Sequence, residues 1–227
     1  INIWKAALRF ALYILMMPTI LLLAAGTLKW AMAWVYVGLI IVFTLLSRVI
    51  ALRRNPDLLV ERAHSLEAED VKSWDRFLVS WTALLGPLCI LIIAGLDYRF
   101  GWSPQVSLSL QLFALGLIIL GYLFSTWAMV ENKFFSAYVR IQSDRRQIVI
   151  TSGPYRFVRH PGYAGGIIAI LATPLLLGSI WAFIPTLMVV VGMIMRTALE
   201  DQVLLDELDG YQDYAKGVNY RLIPGIW

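Results

Sequence analysis

Long apolar runs alternate along this chain with shorter polar stretches rich in lysine and arginine. A membrane helix needs about 20 mainly apolar residues, and the runs at 8–25, 30–50, 77–96 and 106–130 each qualify. The last apolar run, 163–195, is too long for one crossing, because as a single helix it would reach about 50 Å against a hydrocarbon core of about 30 Å. Two helices are expected there, with Gly178 and Ser179 at the turn, Trp181 as an interfacial anchor, and Pro174 and Pro185 as kinks or local breaks. The pattern predicts an all-α polytopic membrane protein with about six transmembrane helices, the last two forming a C-terminal hairpin. No internal repeat or low-complexity segment interrupts it.

Composition agrees with this. The chain is 59% hydrophobic and 15% charged, with a mean hydropathy of +0.72, whereas soluble domains carry about 25% charged residues. Its first apolar run has no small-residue cleavage site after it, which argues against a removed signal peptide. Cys89 is the single cysteine and lies inside an apolar run, so neither a disulfide nor a thiolate metal cluster is expected. His64 and His160 are the only histidines and are far apart, which argues against a histidine metal site.

A net charge of +4 and a pI of 9.3 invite a nucleic-acid reading. The distribution of the charge excludes it and gives topology instead. Of the 19 basic residues, 17 fall on one side of the predicted spans: Lys5 and Arg9, six from Arg48 to Arg76, six from Lys133 to Arg159, and Arg196, Lys216 and Arg221. Only Lys29 and Arg99 fall on the other. By the positive-inside rule both termini and both long loops are cytoplasmic. The polar loop 53–75 is expected to be mainly a solvated connector holding a short helix along the membrane. Between Gln142 and Ile150 the order S-D-R-R-Q-I-V-I predicts a turn and then a short extended segment, either a covering loop or a source of unpaired backbone groups for a ligand.

The densest chemistry lies at 152–166, reading S-G-P-Y-R-F-V-R-H-P-G-Y-A-G-G. Prolines fix φ there and glycines permit turns and close approach. An apolar helix starting near Tyr163 would leave backbone N–H groups free for an anionic ligand group. His160 reads either as a general base or as a residue that closes the loop by hydrogen bonding. Tyr155 and Tyr163 could stack on an aromatic ligand or simply sit at the interface.

Arg196 and Glu200 are one helical turn apart at the end of the last apolar run. An arginine at membrane depth costs about 2.5–3.5 kcal/mol on insertion scales, so it pairs with an acid or lines a wet cavity. Because the hairpin returns to the same face, this pair and the 152–166 stretch can share a pocket. Asp201, Asp206, Glu207 and Asp209 read as mostly a solvated face, and Tyr211 and Tyr214 as interface anchors.

G-P-Y-R-F-V-R-H-P-G-Y, followed by R-T-A-L-E-D at 196–201 and by G-Y-Q-D-Y and Y-R-L-I-P near the C-terminus, resembles the integral-membrane methyltransferase family that includes isoprenylcysteine carboxyl methyltransferase and the phospholipid methyltransferases. The resemblance covers about the C-terminal half. It implies one membrane domain, 1–227, in which helices within 1–130 precede a methyltransferase-like catalytic core at 131–227. It also implies S-adenosylmethionine as cofactor, held by Gln147, Ile148, Val149, Ile150, Tyr155, His160, Pro161, Gly162, Tyr163 and Glu200 and capped by the C-terminal segment. Arg196 and Glu200 would be the catalytic residues, with Arg196 also orienting a lipophilic or small hydrophobic acceptor, as a two-point holder if that acceptor is a carboxylate such as a prenylcysteine-like group. Glu200 would matter more for an amine. The second acid of the family's pair is Asp201 here, one methylene shorter, and the region before residue 130 aligns with no motif, so the acceptor and the oligomeric state stay open.

Small residues at Gly165, Gly166 and Ala169 read as helix packing or as a lateral door through which an acceptor enters from the membrane lipids. Two other functions fit parts of the pattern. A sterol-type NADPH-dependent reductase shares the R-H-P-x-Y turn, and a transporter or scaffold would need no chemistry at all.

Overall fold

A computed structural model describes residues 3–58 and 72–227, and every described element is helical. In chain order these are α1 (Ile3–Ala25), α2 (Ala31–Arg54), α3 (Ser73–Ser80), a π turn (Trp81–Leu85), α4 (Gly86–Phe100), α5 (Leu108–Glu131), α6 (Pro161–Leu177), α7 (Phe183–Glu207) and α8 (Tyr211–Gly217). α3, the π turn and α4 form one continuous rod, Ser73–Phe100. That rod, α2, α5 and α7 are each long and apolar enough to cross a membrane, and α6 is a shorter apolar helix. The short helix expected along the membrane within 53–75 falls largely on residues 59–71, outside the described ones.

The last apolar run divides where expected. Gly178 takes the left-handed conformation at φ +69° and its N–H bonds the Leu175 carbonyl, ending α6. Pro185 breaks nothing, since it lies in the first turn of α7, where a missing N–H has no partner to lose. Pro161 opens α6 in the same way, two residues before the expected start.

Helices pack through small residues, as lipid tails offer no competing hydrophobic drive. α5 and α6 meet backbone to backbone: a Cβ on Gly121 would lie 2.5 Å from the Gly165 carbonyl oxygen, and one on Gly165 would lie 2.4 Å from that of Gly121. Ala169 is buried in the same contact. Of the two readings of Gly165 and Ala169, the packing one describes their contacts. Large apolar side chains such as Phe113, Leu120 and Leu123 point outward from α5, as a lipid-facing surface requires.

The end of the bundle bearing Arg99 is tied by Asp97, 2% exposed. Its carboxylate accepts from the Ser103 N–H at 2.7 Å and hydroxyl at 2.5 Å, and from the Ser179 hydroxyl at 2.5 Å. The Ile180 N–H in turn donates to the Ser103 hydroxyl at 2.8 Å. Thus the turn between α6 and α7 is fastened to the end of α4. At the other end the chain between α5 and α6 and the segment after α7 fold together.

Candidate functional site

At that second end a cavity of about 510 Å³ opens, within the range of about 300–1,000 Å³ typical of small-molecule sites. Five separate stretches line it. They are α2 at Arg48, the rod at Val79 and Ala83, the irregular chain from Asn132 to Ile150, the turn from Tyr155 to Tyr163, and the stretch from Arg196 on α7 to Leu208 just past its end, with Tyr211 and Tyr214 completing the wall. Every site residue expected from the sequence lines it: Gln147, Ile148, Val149, Ile150, Tyr155, His160, Pro161, Gly162, Tyr163, Arg196 and Glu200.

The local geometry of these residues follows from the turns that carry them. Ser143–Arg145 form a 3-10 turn closed by Arg146 at φ +49°, and the Gln147 side chain accepts from the Gln142 N–H at 2.7 Å. The chain then runs through Ile148, Val149 and Ile150 without regular structure, and their backbone groups make no hydrogen bond among the described residues. A second 3-10 turn, Gly153–Arg156, is held to the end of α5, where the Ser152 hydroxyl donates to Glu131. There the Tyr155 hydroxyl accepts from Asn132 Nδ2 at 3.2 Å. At the start of α6 the N–H groups of Gly162 and Tyr163 likewise have no partner among the described residues. The cavity thus presents backbone donors suited to an anionic group and the Glu200 carboxylate suited to a cation.

Glu200 accepts from the Tyr163 hydroxyl at 2.5 Å, not from Arg196. Arg196 turns to Asp75 on α3, with Nε to Oδ1 at 2.6 Å and Nη2 to Oδ2 at 3.3 Å, and Nη2 also donates to the Ala137 carbonyl at 2.7 Å. Its guanidinium lies 5.3 Å from the Tyr163 ring centroid, so one face of that ring is already stacked. Two of its three nitrogens are thus engaged, and Nη1 carries no bond among the described residues.

Asp201, expected on a solvated face, is fully buried and is the most heavily bonded side chain of the site. Arg159 meets it through Nε and Nη2, His160 Nε2 lies 3.1 Å from Oδ1, Arg221 Nε donates to Oδ2 at 2.7 Å and the Tyr211 hydroxyl donates to Oδ1 at 2.8 Å. Tyr211 is buried with it rather than anchoring at an interface, whereas Asp206, Glu207 and Asp209 do face outward. His160 is 5% exposed and its backbone N–H donates to the Arg221 carbonyl at 2.9 Å, which is the loop-closing role of the two readings.

The same bonds bring the C-terminal tail over the site. The Arg159 N–H donates to the Tyr220 carbonyl, and its Nη1 donates to the carbonyls of Val218 and Asn219. The Tyr214 hydroxyl donates to the Tyr155 carbonyl at 2.7 Å. Burial pushes the phenols of Tyr155 and Tyr211 well above the ordinary tyrosine value, the Asp201 carboxylate adding to the effect at Tyr211. Both therefore stay protonated donors around neutral pH. Burial works against the charge of Arg159, and Asp201 more than offsets it.

Sequence reasoning assigned no role to Asp75, Arg159 or Arg221. Asp75 is a charge at the edge of the apolar run 77–96, and Arg159 and Arg221 stand inside the R-H-P-G-Y and Y-R-L-I-P motifs, the signals that could have marked them.

Comparison with known proteins agrees with the geometry. Residues 110–208 match the family described as phospholipid methyltransferase. Protein-S-isoprenylcysteine O-methyltransferase of Schizosaccharomyces pombe is 31% identical over 180 residues, covering 67% of this chain and 73% of that protein. A cavity where the basic ends of the apolar helices meet, and this relationship across most of both chains, lead to one assignment. The chain belongs to the family of integral-membrane methyltransferases that includes isoprenylcysteine carboxyl methyltransferase and the phospholipid methyltransferases.

Proposed function

We propose that the protein transfers a methyl group from S-adenosylmethionine to a carboxylate on a lipophilic acceptor, at the cytoplasmic face of a membrane. The observation that carries this reading is the convergence of residues from the 147–163 stretch and from α7 on one cavity, with a guanidinium at its edge. When bound, S-adenosylmethionine supplies a methyl group activated on a sulfonium, so transfer breaks one C–S bond, forms one C–O bond and releases S-adenosylhomocysteine.

The residues fit that molecule. The free N–H groups of Gly162 and Tyr163 suit its carboxylate, Glu200 suits its ammonium or sulfonium charge, and the backbone of Ile148, Val149 and Ile150 can receive its base. A carboxylate acceptor has no proton to lose, so the protein's task is placement and the exclusion of water, from which most of the acceleration of such a displacement comes. Arg196 sits near Val79 and Ala83 of the rod, where an apolar tail and an anionic head can be held together. The relative's acceptor, an isoprenylcysteine by its name, has that form. The catalytic core is then 131–227 with the earlier helices as its frame, and the basic residues of the cavity end set the cytoplasmic orientation.

The test is S-adenosylhomocysteine release by the protein in lipid nanodiscs, with either an S-prenylated N-acetylcysteine or phosphatidylethanolamine as acceptor. Product is expected with the carboxylate. Product with the amine alone overturns the carboxylate assignment, and failure to bind S-adenosylmethionine by calorimetry overturns the reading as a whole.

A further inference from the structure

Asp75 has no place in the chemistry described so far. It is a fully buried carboxylate in the first turn of α3, 121 residues from the arginine it contacts and outside the segment matched by the family model. A carboxylate at such depth is costly unless paired, and a buried ion pair serving stability alone could be replaced as a whole by apolar side chains at little cost. Its bonds are unevenly directed. One oxygen accepts from Arg196 Nε at 2.6 Å, and the other accepts from the Val139 N–H at 2.6 Å while lying 3.3 Å from Arg196 Nη2.

Two consequences follow for the cavity. The guanidinium is gripped along its Nε and Nη2 edge, and Ala137 takes the second Nη2 hydrogen. Three of the five N–H donors, one on Nε and two on Nη2, become a fixed frame, and the two on Nη1 have no partner among the described residues and are left for a ligand. The loop carrying Ala137 and Val139, itself cavity wall, is drawn against the rod by the same carboxylate. Arg196 also lies over the Tyr163 ring, whose hydroxyl reaches Glu200, so Asp75 begins a line of contacts that crosses the wall from the rod to α7.

We propose that Asp75 is the positioning residue of the methyl transfer: it locks the Arg196 guanidinium so that Nη1 meets the acceptor's carboxylate, and the N-terminal half of the chain thereby contributes a residue to the active site. This rests on the methyltransferase reading given above. A pre-set guanidinium loses less freedom when the acceptor binds, which places the acceptor oxygen along the line of displacement.

The test measures S-adenosylhomocysteine release with S-prenylated N-acetylcysteine, and S-adenosylmethionine affinity in parallel, for Asp75→Asn, Asp75→Glu, Arg196→Ala and the Asp75→Asn/Arg196→Ala pair. Asp75→Asn is expected to lose about tenfold or more in turnover, as charge-assisted bonds of this kind imply, with cofactor affinity within about twofold of wild type. Asp75→Glu keeps the charge and should recover part of the turnover. Because Asp75 acts through Arg196, the double variant should be no slower than Arg196→Ala. Guanidinium ion added at millimolar concentration should raise the turnover of Arg196→Ala, and do so less in the double variant.

Losses that multiply in the double variant overturn the inference, as does an Asp75→Asn enzyme with wild-type turnover. Loss of cofactor binding in Asp75→Asn also overturns it, because Asp75 would then support the fold rather than the arginine. Failure of the parent reading looks different, since the wild type itself would release no product.

Discussion

Arg159 meets Asp201 as a two-point fork, Nε to Oδ1 and Nη2 to Oδ2, each at 2.8 Å. The fork joins the turn before α6 to the cavity end of α7 and, through Arg221 on the same carboxylate, fastens the tail across both. Such geometry makes the pair hard to replace by halves. Removing one partner of a buried pair costs about 3–5 kcal/mol, because the other is left charged and alone.

Asp201→Asn should therefore destabilise the protein by about 3–5 kcal/mol. It should lower the midpoint of thermal unfolding in detergent and also weaken S-adenosylmethionine binding. Arg221→Ala breaks only the partly exposed arm of the cluster, so its loss in stability should be smaller while cofactor dissociation speeds up. A paired scan of melting temperature and cofactor off-rate checks both; equal melting losses in the two variants would contradict the cluster's division.

Glu200 lies apart from this cluster, with the Tyr163 hydroxyl as its only partner among the described residues. Glu200→Gln keeps the size and the acceptor oxygen but removes the charge. The expected outcome is weaker S-adenosylmethionine binding by about tenfold or more with little change in unfolding temperature. Calorimetry with S-adenosylmethionine and with S-adenosylhomocysteine separates the sulfonium from the ammonium. A loss confined to the first locates Glu200 beside the sulfonium.

The last two residues of A-G-G at 164–166 should respond differently to one methyl group. On Gly165 it would lie 2.4 Å from the Gly121 carbonyl oxygen and 2.5 Å from the Ser125 hydroxyl, so Gly165→Ala should cost about 1–3 kcal/mol through forced separation of α5 and α6. On Gly166 the nearest atom is the tip of Met193 at 3.0 Å. That side chain can move, and the gain in helix propensity of about 0.8–1.0 kcal/mol offsets the shift, leaving Gly166→Ala near neutral. Unfolding in mild detergent reads the difference.

Orientation is checked at Ser143, an exposed residue of the 3-10 turn beside the cavity. Ser143→Cys in a Cys89→Ala background should resist an impermeant thiol reagent in intact cells and react once the membrane is permeabilised. Labelling without permeabilisation would place this end of the bundle outside.

The α6–α7 hairpin and the crowding of site residues into one region were legible because they depend on length, on Gly178, and on motifs whose members lie close in sequence. The partners were not. Spacing puts Arg196 and Glu200 on one helix face, and nothing in that spacing reveals a carboxylate 121 residues away that takes the arginine instead. Asp201 reads as solvated because Asp206, Glu207 and Asp209 follow it further along the chain; it is buried because the tail folds back, and a fold-back has no periodicity to read. Likewise the spacing of Gly165 and Ala169 fits packing or passage equally, and only the fold sets them against the backbone of Gly121.

Asp97 gives the far end of the bundle a consequence for this one. It fastens the α6–α7 turn to α4, while Arg159 and Asp201 bind the hairpin's open ends to each other. A hairpin pinned at both extremities, with α6 also pressed against α5 along its length, cannot spread like the blades of scissors. The helical bundle is then a stationary frame, and the cavity's cover is its non-helical part, the tail around Arg221 and the loop at Ala137 and Val139, each tied to that frame by hydrogen bonds rather than by helix packing.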